Sequence, residues 1–267
     1  MKMLVLASDE VLRLLSTKRG LLSMIGFCLV WVAVLIYGVM PAARLVSGAS
    51  ESGLLDLLMD QYRLSSAELW PAPELNVYWV TCLYLLPFLA ILTSADQTAS
   101  DRDRGTLRYL VLRCGRLEIF FGRYLGQILI MLGVVLITLG SVLAVIAINS
   151  SDFLPESLAS ALPIVVSLML LLAPYIALMA VVSVLARTAR QATLYAVIIW
   201  IGISLLVSYL RHWLPDASLL DWALPGSQVS DLLWLSGWET LTLAPIPIVH
   251  TLFFLAVGAV FMKRRDL

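Results

Sequence analysis

The side chains best suited to recognition chemistry lie in one stretch, DQTASDRDRGTLRYLVLRCGRLEIFFGR, at residues 96–123. This stretch holds six of the eighteen lysines and arginines of the chain and separates two long apolar runs. A loop so rich in arginine between apolar runs is typical of the cytoplasmic side of a membrane protein. Its Asp and Gly residues indicate more structure than orientation alone requires, so we expect another molecule to bind it.

Residues that usually catalyse reactions or bind metals form no recognisable constellation. The sequence has neither an HExxH motif nor the GxxxxGK[ST] phosphate loop of an ATPase. Its three cysteines, Cys28, Cys82 and Cys114, are far apart and make no CxxC, which argues against a disulfide framework or a zinc site. His250, in an apolar run, is interpreted as a packing or interfacial residue. We therefore predict no catalytic, cofactor-binding or metal site, and no enzymatic activity in this chain.

Composition predicts an integral membrane protein. The 267 residues are 61% hydrophobic and 13% charged, with a mean hydropathy of +0.94. A soluble domain usually has about 25% charged residues and about 45–50% apolar ones. The formal net charge is zero, and nothing in the composition suggests a nucleic-acid partner.

Six apolar segments are long enough to cross a bilayer, whose core of about 30 Å needs about 20 helical residues. The fold class is thus all-α, a polytopic protein with a single transmembrane domain over residues 1–267. The expected spans run approximately over residues 20–40, 77–95, 119–148, 158–186, 192–210 and 243–262.

The distribution of lysine and arginine predicts the orientation, because these residues are retained in the cytoplasm when they lie in short flanking loops. Fifteen of them lie on the side of the two termini, and only Arg44, Arg63 and Arg211 lie on the other. We therefore expect a multi-pass protein of a bacterial inner membrane with both termini and the loop 97–118 in the cytoplasm, in contact with membrane lipid.

Three segments outside the spans are expected to have structure. Residues 1–19 predict an amphipathic helix on the inner membrane surface. Its apolar positions at helical spacing are Leu4, Ala7, Val11, Leu14 and Leu15. The external segment 41–76 predicts an amphipathic helix around Leu54 to Tyr62, whereas the external segment 211–242, with its Trp, Pro and Gly residues, predicts short broken helices that enter the outer leaflet.

Within the arginine-rich loop, the sequence predicts a helix from Asp101 to Arg113. Ser100 or Asp101 can cap its start by accepting hydrogen bonds from free backbone amides. Gly105 lies inside this helix at a cost of about 1 kcal/mol relative to Ala, which suggests close packing of another backbone there. Gly115 is expected near the helix end, at a C-cap position. The simpler alternative, a loop that only sets topology, needs the arginines but neither the glycine nor the caps.

These residues resemble a known family. Asp-Arg-Asp-Arg-Gly-Thr-Leu at residues 101–107 is similar to the Glu-Arg-Glu-Arg-Gly-Thr-Leu signature of type-2 permeases of ATP-binding-cassette (ABC) exporters. The later Arg116, Gly122 and Arg123, and the terminal FMKRRDL, also match that family. The resemblance covers the whole layout of amphipathic N-terminus, six spans and arginine-rich loop. Asp in place of Glu, and Cys114 and Gly115 where Pro and Ser are common, are modest departures.

The resemblance implies that the loop is a coupling helix that docks on a separate cytosolic ATPase. The chain would be an exporter permease with no cofactor of its own, and ATP and Mg²⁺ would bind two partner ATPase subunits. A second copy of the chain, or a related permease, would complete the translocation path. The residues carried over as ATPase-coupling are Asp101, Arg102, Asp103, Arg104, Gly105, Thr106, Leu107, Arg108, Leu110 and Val111.

Small residues run along the third span and predict close helix contacts, either within one protomer or at a dimer seam. They are Gly122, Gly126, Gly133 and Gly140. The spans contain almost no ionisable side chains, which argues against a proton-coupled carrier and favours an apolar or amphipathic cargo. The same scarcity leaves open a second hypothesis, a non-transporting ATPase-coupled module that transmits force or signal or assists assembly of an extracytoplasmic protein.

Overall fold

The structure is a computed structural model that describes residues 2–47, 69–95, 97–99, 105, 107–213, 222 and 224–264. Within these ranges the chain is helical and contains no strand. The α-helices are Lys2–Ser16, Lys18–Val34, Met40–Ser47, Pro73–Ser94, Leu107–Arg113, Arg116–Asn149, Leu154–Leu185, Ala189–Trp213, Val229–Leu232 and Pro245–Arg264. A π-helical turn, Leu35–Val39, joins the second and third of these, and 3₁₀ turns lie at Ser151–Phe153 and Gly237–Leu243.

Six helices of the described chain are long and apolar enough to cross a membrane, which confirms the predicted all-α polytopic fold. In chain order, these spans are Gly20–Arg44, Pro73–Ser94, Arg116–Asn149, Ser151–Leu185, Ala189–Leu210 and Pro245–Arg264. The third and fourth are the longest, as their long apolar runs predict. The inside and outside assignments stay predictions, since they depend on the membrane.

The fourth span is the centre of the bundle. It packs against the second, third, fifth and sixth spans, and 72% of its most apolar window is buried, against 11% for the first span and 6% for the fifth. Its composition explains this position, because apolar residues occupy every face rather than one stripe. The first and fifth spans therefore lie at the periphery and present apolar side chains outward.

The amino-terminal helix, Lys2–Ser16, packs along the third span. Its buried residues are Leu6, Ala7 and Glu10, whereas Leu4 and Leu15 are exposed. The apolar face predicted from Leu4, Ala7, Val11, Leu14 and Leu15 is thus only partly packed against the protein, and the packed face includes a carboxylate. The physical reason is a cationic partner on the third span, described below. Whether the opposite face lies on a membrane stays a prediction.

Residues 224–243 of the segment before the sixth span lie against the bundle rather than apart from it. Trp79 donates its Nε1 hydrogen to the carbonyl oxygen of Leu232 at 3.1 Å. Tyr175 donates its hydroxyl to the carbonyl oxygen of Pro225 at 3.2 Å. The hydroxyls of Ser167 and Thr240 are 2.6 Å apart. The helical pieces here are short, Val229–Leu232 and Gly237–Leu243, as the Pro and Gly content predicts.

One element lies outside the part of the chain that the structure describes. The amphipathic helix expected around Leu54 to Tyr62 falls in residues 48–68 and stays a prediction.

Candidate functional site

The arginine-rich loop leads into a helix of seven residues, Leu107–Arg113. Of the residues carried over as ATPase-coupling, Asp101 to Arg104 and Thr106 lie outside the described residues. The backbone of Gly105 is described and has φ of +70°, the left-handed region. This glycine is therefore not inside a continuous helix, and the expectation of one helix through Gly105 is wrong.

The reason for glycine at position 105 is conformational. A Cβ built there meets no atom of the described chain within 4 Å, so close packing of a partner's backbone at this position stays a prediction. The left-handed region is about equally accessible to glycine and sterically costly for residues with a Cβ. Gly105 thus lets the chain turn just before the Leu107–Arg113 helix.

The two faces of this helix have different environments. Leu110 and Val111 pack against an apolar cluster, whereas Tyr109 and Leu112 are 74% and 83% exposed. The cluster consists of Leu6, Ile119, Phe120, Ala180, Val184 and Met262. Leu110 and Val111, expected as coupling residues, therefore hold the helix to the bundle. Tyr109 and Leu112, which were not predicted as coupling residues, are the apolar side chains that face away among those the structure describes on this helix.

The carboxyl end of the helix and the residues that follow it are tied to neighbouring elements. The Lys2 Nζ donates to the carbonyl oxygen of Arg113 at 3.1 Å, a favourable position for a cation at a helix C-terminus. Arg116 donates to the carbonyl oxygen of Lys263 at 3.2 Å, at the end of the sixth span. The carboxylate of Glu118 accepts from the Gly115 amide at 2.7 Å. Gly115 has extended backbone and starts the third span, so the expected C-cap role is wrong.

A buried ion pair joins the amino-terminal helix to the third span. The Arg123 guanidinium donates to Glu10, and both residues are 8% exposed. Glu10 also contacts Arg13, with N and O atoms 3.3 Å apart. A buried charge is expensive without a partner, so this pair holds the register between the two helices. Within the described ranges, no group of three His, Cys, Asp or Glu side chains could hold a metal ion.

The glycines of the third span divide into two pairs. A Cβ on Gly122 would lie 2.8 Å from Leu6 Cβ, and one on Gly126 would lie 2.8 Å from Glu10 Cβ. These two glycines therefore form the groove that receives the amino-terminal helix, an intraprotomer contact. A Cβ on Gly133 or Gly140 would meet no atom of the described residues within 4 Å, so their side of the span is open within that part of the chain.

A cleft of about 660 Å³ with several polar side chains in its lining lies beside this helix pair. Gln127 donates to the Thr93 hydroxyl at 3.0 Å there, and Gln97, which is 4% exposed, donates to the carbonyl oxygen of Ile176. Ionisable residues are scarce in the spans, as the sequence indicates. Amides and hydroxyls at the span ends supply this polarity instead.

A family model described as "ABC-2 family transporter protein" matches residues 4–267, nearly the whole chain. The chain belongs to the ABC-2 transporter family. No curated protein matches it significantly. Membership confirms the resemblance drawn from Asp101 to Leu107, and it makes this ABC-2 protein a membrane component of an ABC transporter, not itself the ATPase.

Proposed function

We propose that this ABC-2 protein is an exporter permease whose Leu107–Arg113 helix receives force from a separate cytosolic ATPase. The ATPase would bind ATP and Mg²⁺, and the permease would move an apolar or amphipathic cargo through the membrane. The observation that carries the proposal is the way in which the chain holds this helix. One face of the helix packs against the bundle, and its carboxyl end accepts a hydrogen bond from Lys2. The opposite face exposes the large side chains of Tyr109 and Leu112.

The exposed side chains suit a protein partner. Tyr109 and Leu112 are three residues apart and so lie on one face of the helix. Large side chains left exposed at 74% and 83% lose contact with water when a partner covers them. Aromatic side chains are enriched among the residues that contribute most to interface affinity. A groove on the ATPase is the partner that we expect for this face.

The opposite face transmits displacement to the bundle. Leu110 and Val111 contact a cluster that contains side chains of the amino-terminal helix and of the third, fourth and sixth spans. Lys2 adds a direct link from Arg113 to the amino-terminal helix, which the Glu10–Arg123 pair joins to the third span. Packed helices move as rigid bodies, so a push on Leu107–Arg113 would shift several spans together.

The assembly that we propose contains two ATPase subunits and two permeases, the second being another copy of this chain or a related one. The peripheral first and fifth spans leave apolar surface for such a neighbour. The open side of Gly133 and Gly140 is a further place where a helix could approach closely.

Substitution of Leu112 by glutamate tests the coupling. We expect the Leu112→Glu variant to lose co-purification of the ATPase, because a carboxylate in an apolar groove is strongly disfavoured. The measurement is the amount of ATPase retained by the tagged permease and the vanadate-sensitive ATP hydrolysis of the complex. Both should fall about tenfold or more, since about 1.4 kcal/mol of lost affinity is a factor of ten.

Ile148→Glu is the matched control. Ile148 is also 83% exposed but lies at the other end of the third span. It should retain the ATPase at the level of the unsubstituted chain. Equal retention by Leu112→Glu and the unsubstituted chain would refute docking through this face. Retained ATPase with no movement of any cargo in sealed vesicles would instead favour the non-transporting module.

A further inference from the structure

A cleft of about 750 Å³ opens between residues 224–231 and the second, fourth and fifth spans. It is lined near the midpoints of two spans, by Leu83 in Pro73–Ser94 and by Trp200 in Ala189–Leu210. The cleft therefore lies alongside the middle of the bundle rather than on its end. Its size is in the range of sites for small organic molecules.

The wall of the cleft is a non-helical turn that the bundle holds in place. Gly226 has φ of +87°, and the Tyr175 hydroxyl donates to the preceding Pro225 carbonyl at 3.2 Å. A Cβ at position 226 would collide with the Tyr175 hydroxyl, so glycine is required there. Irregular backbone at this depth is tolerated only where protein covers it or where it lines a polar cavity. This turn lines a cavity.

Two polar side chains of the cleft, Gln228 and Asp231, could bind a ligand. Gln228 is 2% exposed, and neither its amide nitrogen nor its amide oxygen has a hydrogen-bond partner. A buried amide without hydrogen-bond partners is destabilising, because the group has lost its hydrogen bonds to water. Asp231 is the only charged residue among the described residues that line the cleft. Its side chain is exposed, so the carboxylate is open to a charged ligand that enters the cleft.

Four aromatic side chains also line the cleft. Tyr175 and Trp200 stack with ring centroids 5.7 Å apart and an interplanar angle of 21°, and Tyr84 and Trp222 also line the cleft. The faces of Trp and Tyr rings attract cations, and several rings around one space are the usual device for binding quaternary ammonium groups. The Asp231 carboxylate adds attraction for the same charge and repels anions.

We propose that this cleft binds an organic cation with an apolar body. The rings would contact the body and the positive centre, Asp231 would balance the charge, and the Gln228 oxygen would supply a dipole or accept a hydrogen bond. The charge of the whole segment agrees with this choice, because residues 211–242 contain four acidic residues and one arginine. The inference rests on the proposed function, of which it names the cargo class.

Binding of tetraphenylphosphonium to the full chain in lipid nanodiscs tests the inference. Tetraphenylborate has the same four-phenyl shape and the opposite charge, and empty nanodiscs correct for partition into lipid. We expect saturable binding of the cation and none of the anion. Asp231→Asn should weaken cation binding about tenfold, the effect of about 1.4 kcal/mol of lost charge attraction. Trp200→Leu should weaken it about fivefold.

Two control variants lie in the same segment but do not line the cleft. Glu239→Gln removes an exposed carboxylate, and Trp238→Leu removes an exposed indole. Both should bind the cation as the unsubstituted chain does. Equal binding of the borate, or undiminished cation binding by Asp231→Asn, would overturn the proposal. So would a loss in Glu239→Gln equal to that in Asp231→Asn.

The assay separates this inference from the proposed function because it uses the permease without an ATPase. Absence of cation binding together with intact ATPase co-purification refutes the cleft alone. Cation binding together with failed co-purification supports the cleft and refutes the coupling. Since Trp200 stacks on Tyr175, the thermal unfolding of each variant is measured first, and Asp231→Asn remains decisive if Trp200→Leu unfolds.

Discussion

Glu10 and Arg123 pair across the contact between the amino-terminal helix and the third span. They are 113 positions apart, and in the sequence each looks like one member of a solvated charged group. Because the pair is buried, removal of one partner lowers the stability of the fold by leaving a charge away from water. Replacement of both partners by apolar residues leaves an apolar contact instead. The pair therefore specifies how these helices align.

Substitution of one partner tests the burial of this pair. We expect Glu10→Gln to lower the free energy of unfolding by about 3–5 kcal/mol, because Arg123 then keeps a buried charge without its carboxylate. The double variant Glu10→Leu with Arg123→Met should recover most of that loss. Thermal unfolding of the purified protein measures both. Additive losses in the double variant would show that the two side chains do not interact in the folded protein.

The amino-terminal helix and the third span pack closely because two glycines leave room for them. Backbone carbonyl oxygens of Met3 and Ala7 lie 3.2 and 3.3 Å from the positions that a Cβ would take on Gly122 and Gly126. A helix can approach so near only where the facing residues lack side chains. The same span has two further glycines, Gly133 and Gly140, that no described residue approaches.

Substitution of these glycines by alanine separates the two environments. Gly126→Ala should destabilise the protein by about 1–3 kcal/mol, because the new methyl group overpacks against Glu10. Gly133→Ala is the matched control and should leave stability unchanged or higher, since alanine favours helix. Apparent melting temperatures and protease resistance of residues 2–16 are the measurements. Equal destabilisation by both substitutions would contradict the packing of this groove.

At the scale of the whole molecule, six spans predict both termini on one side of the membrane together with the Leu107–Arg113 helix. The opposite side then carries the end of the third span and residues 237–243. The fifteen lysines and arginines on the first side are the physical basis, because positive residues in short loops resist translocation.

Single cysteines in a chain whose own three cysteines are replaced by alanine test this orientation. Tyr109→Cys should react with a membrane-impermeant maleimide only after cells are opened, whereas Trp238→Cys should react in intact cells. Both positions are exposed, so access to the reagent is decided by the membrane. Reaction of Tyr109→Cys in intact cells would reverse the topology.

The sequence by itself determined the class of the protein, its six spans and its family. Apolar runs of sufficient length must become helices, since the bilayer offers no partners for free backbone groups. The motif at residues 101–107 indicated the family because its seven residues are consecutive in the chain. A feature can be predicted from the sequence when its physical cause lies within a few residues.

Only the tertiary structure decided which faces are used. It showed that Leu110 and Val111 hold their helix while Tyr109 and Leu112 face away, because packing partners come from the amino-terminal helix and three spans. It also brought Glu10 to Arg123, and it brought Asp231 and Gln228 into a cleft beside Trp200. These contacts join residues far apart in the chain, and hydropathy and helical periodicity record nothing about partners at such separations.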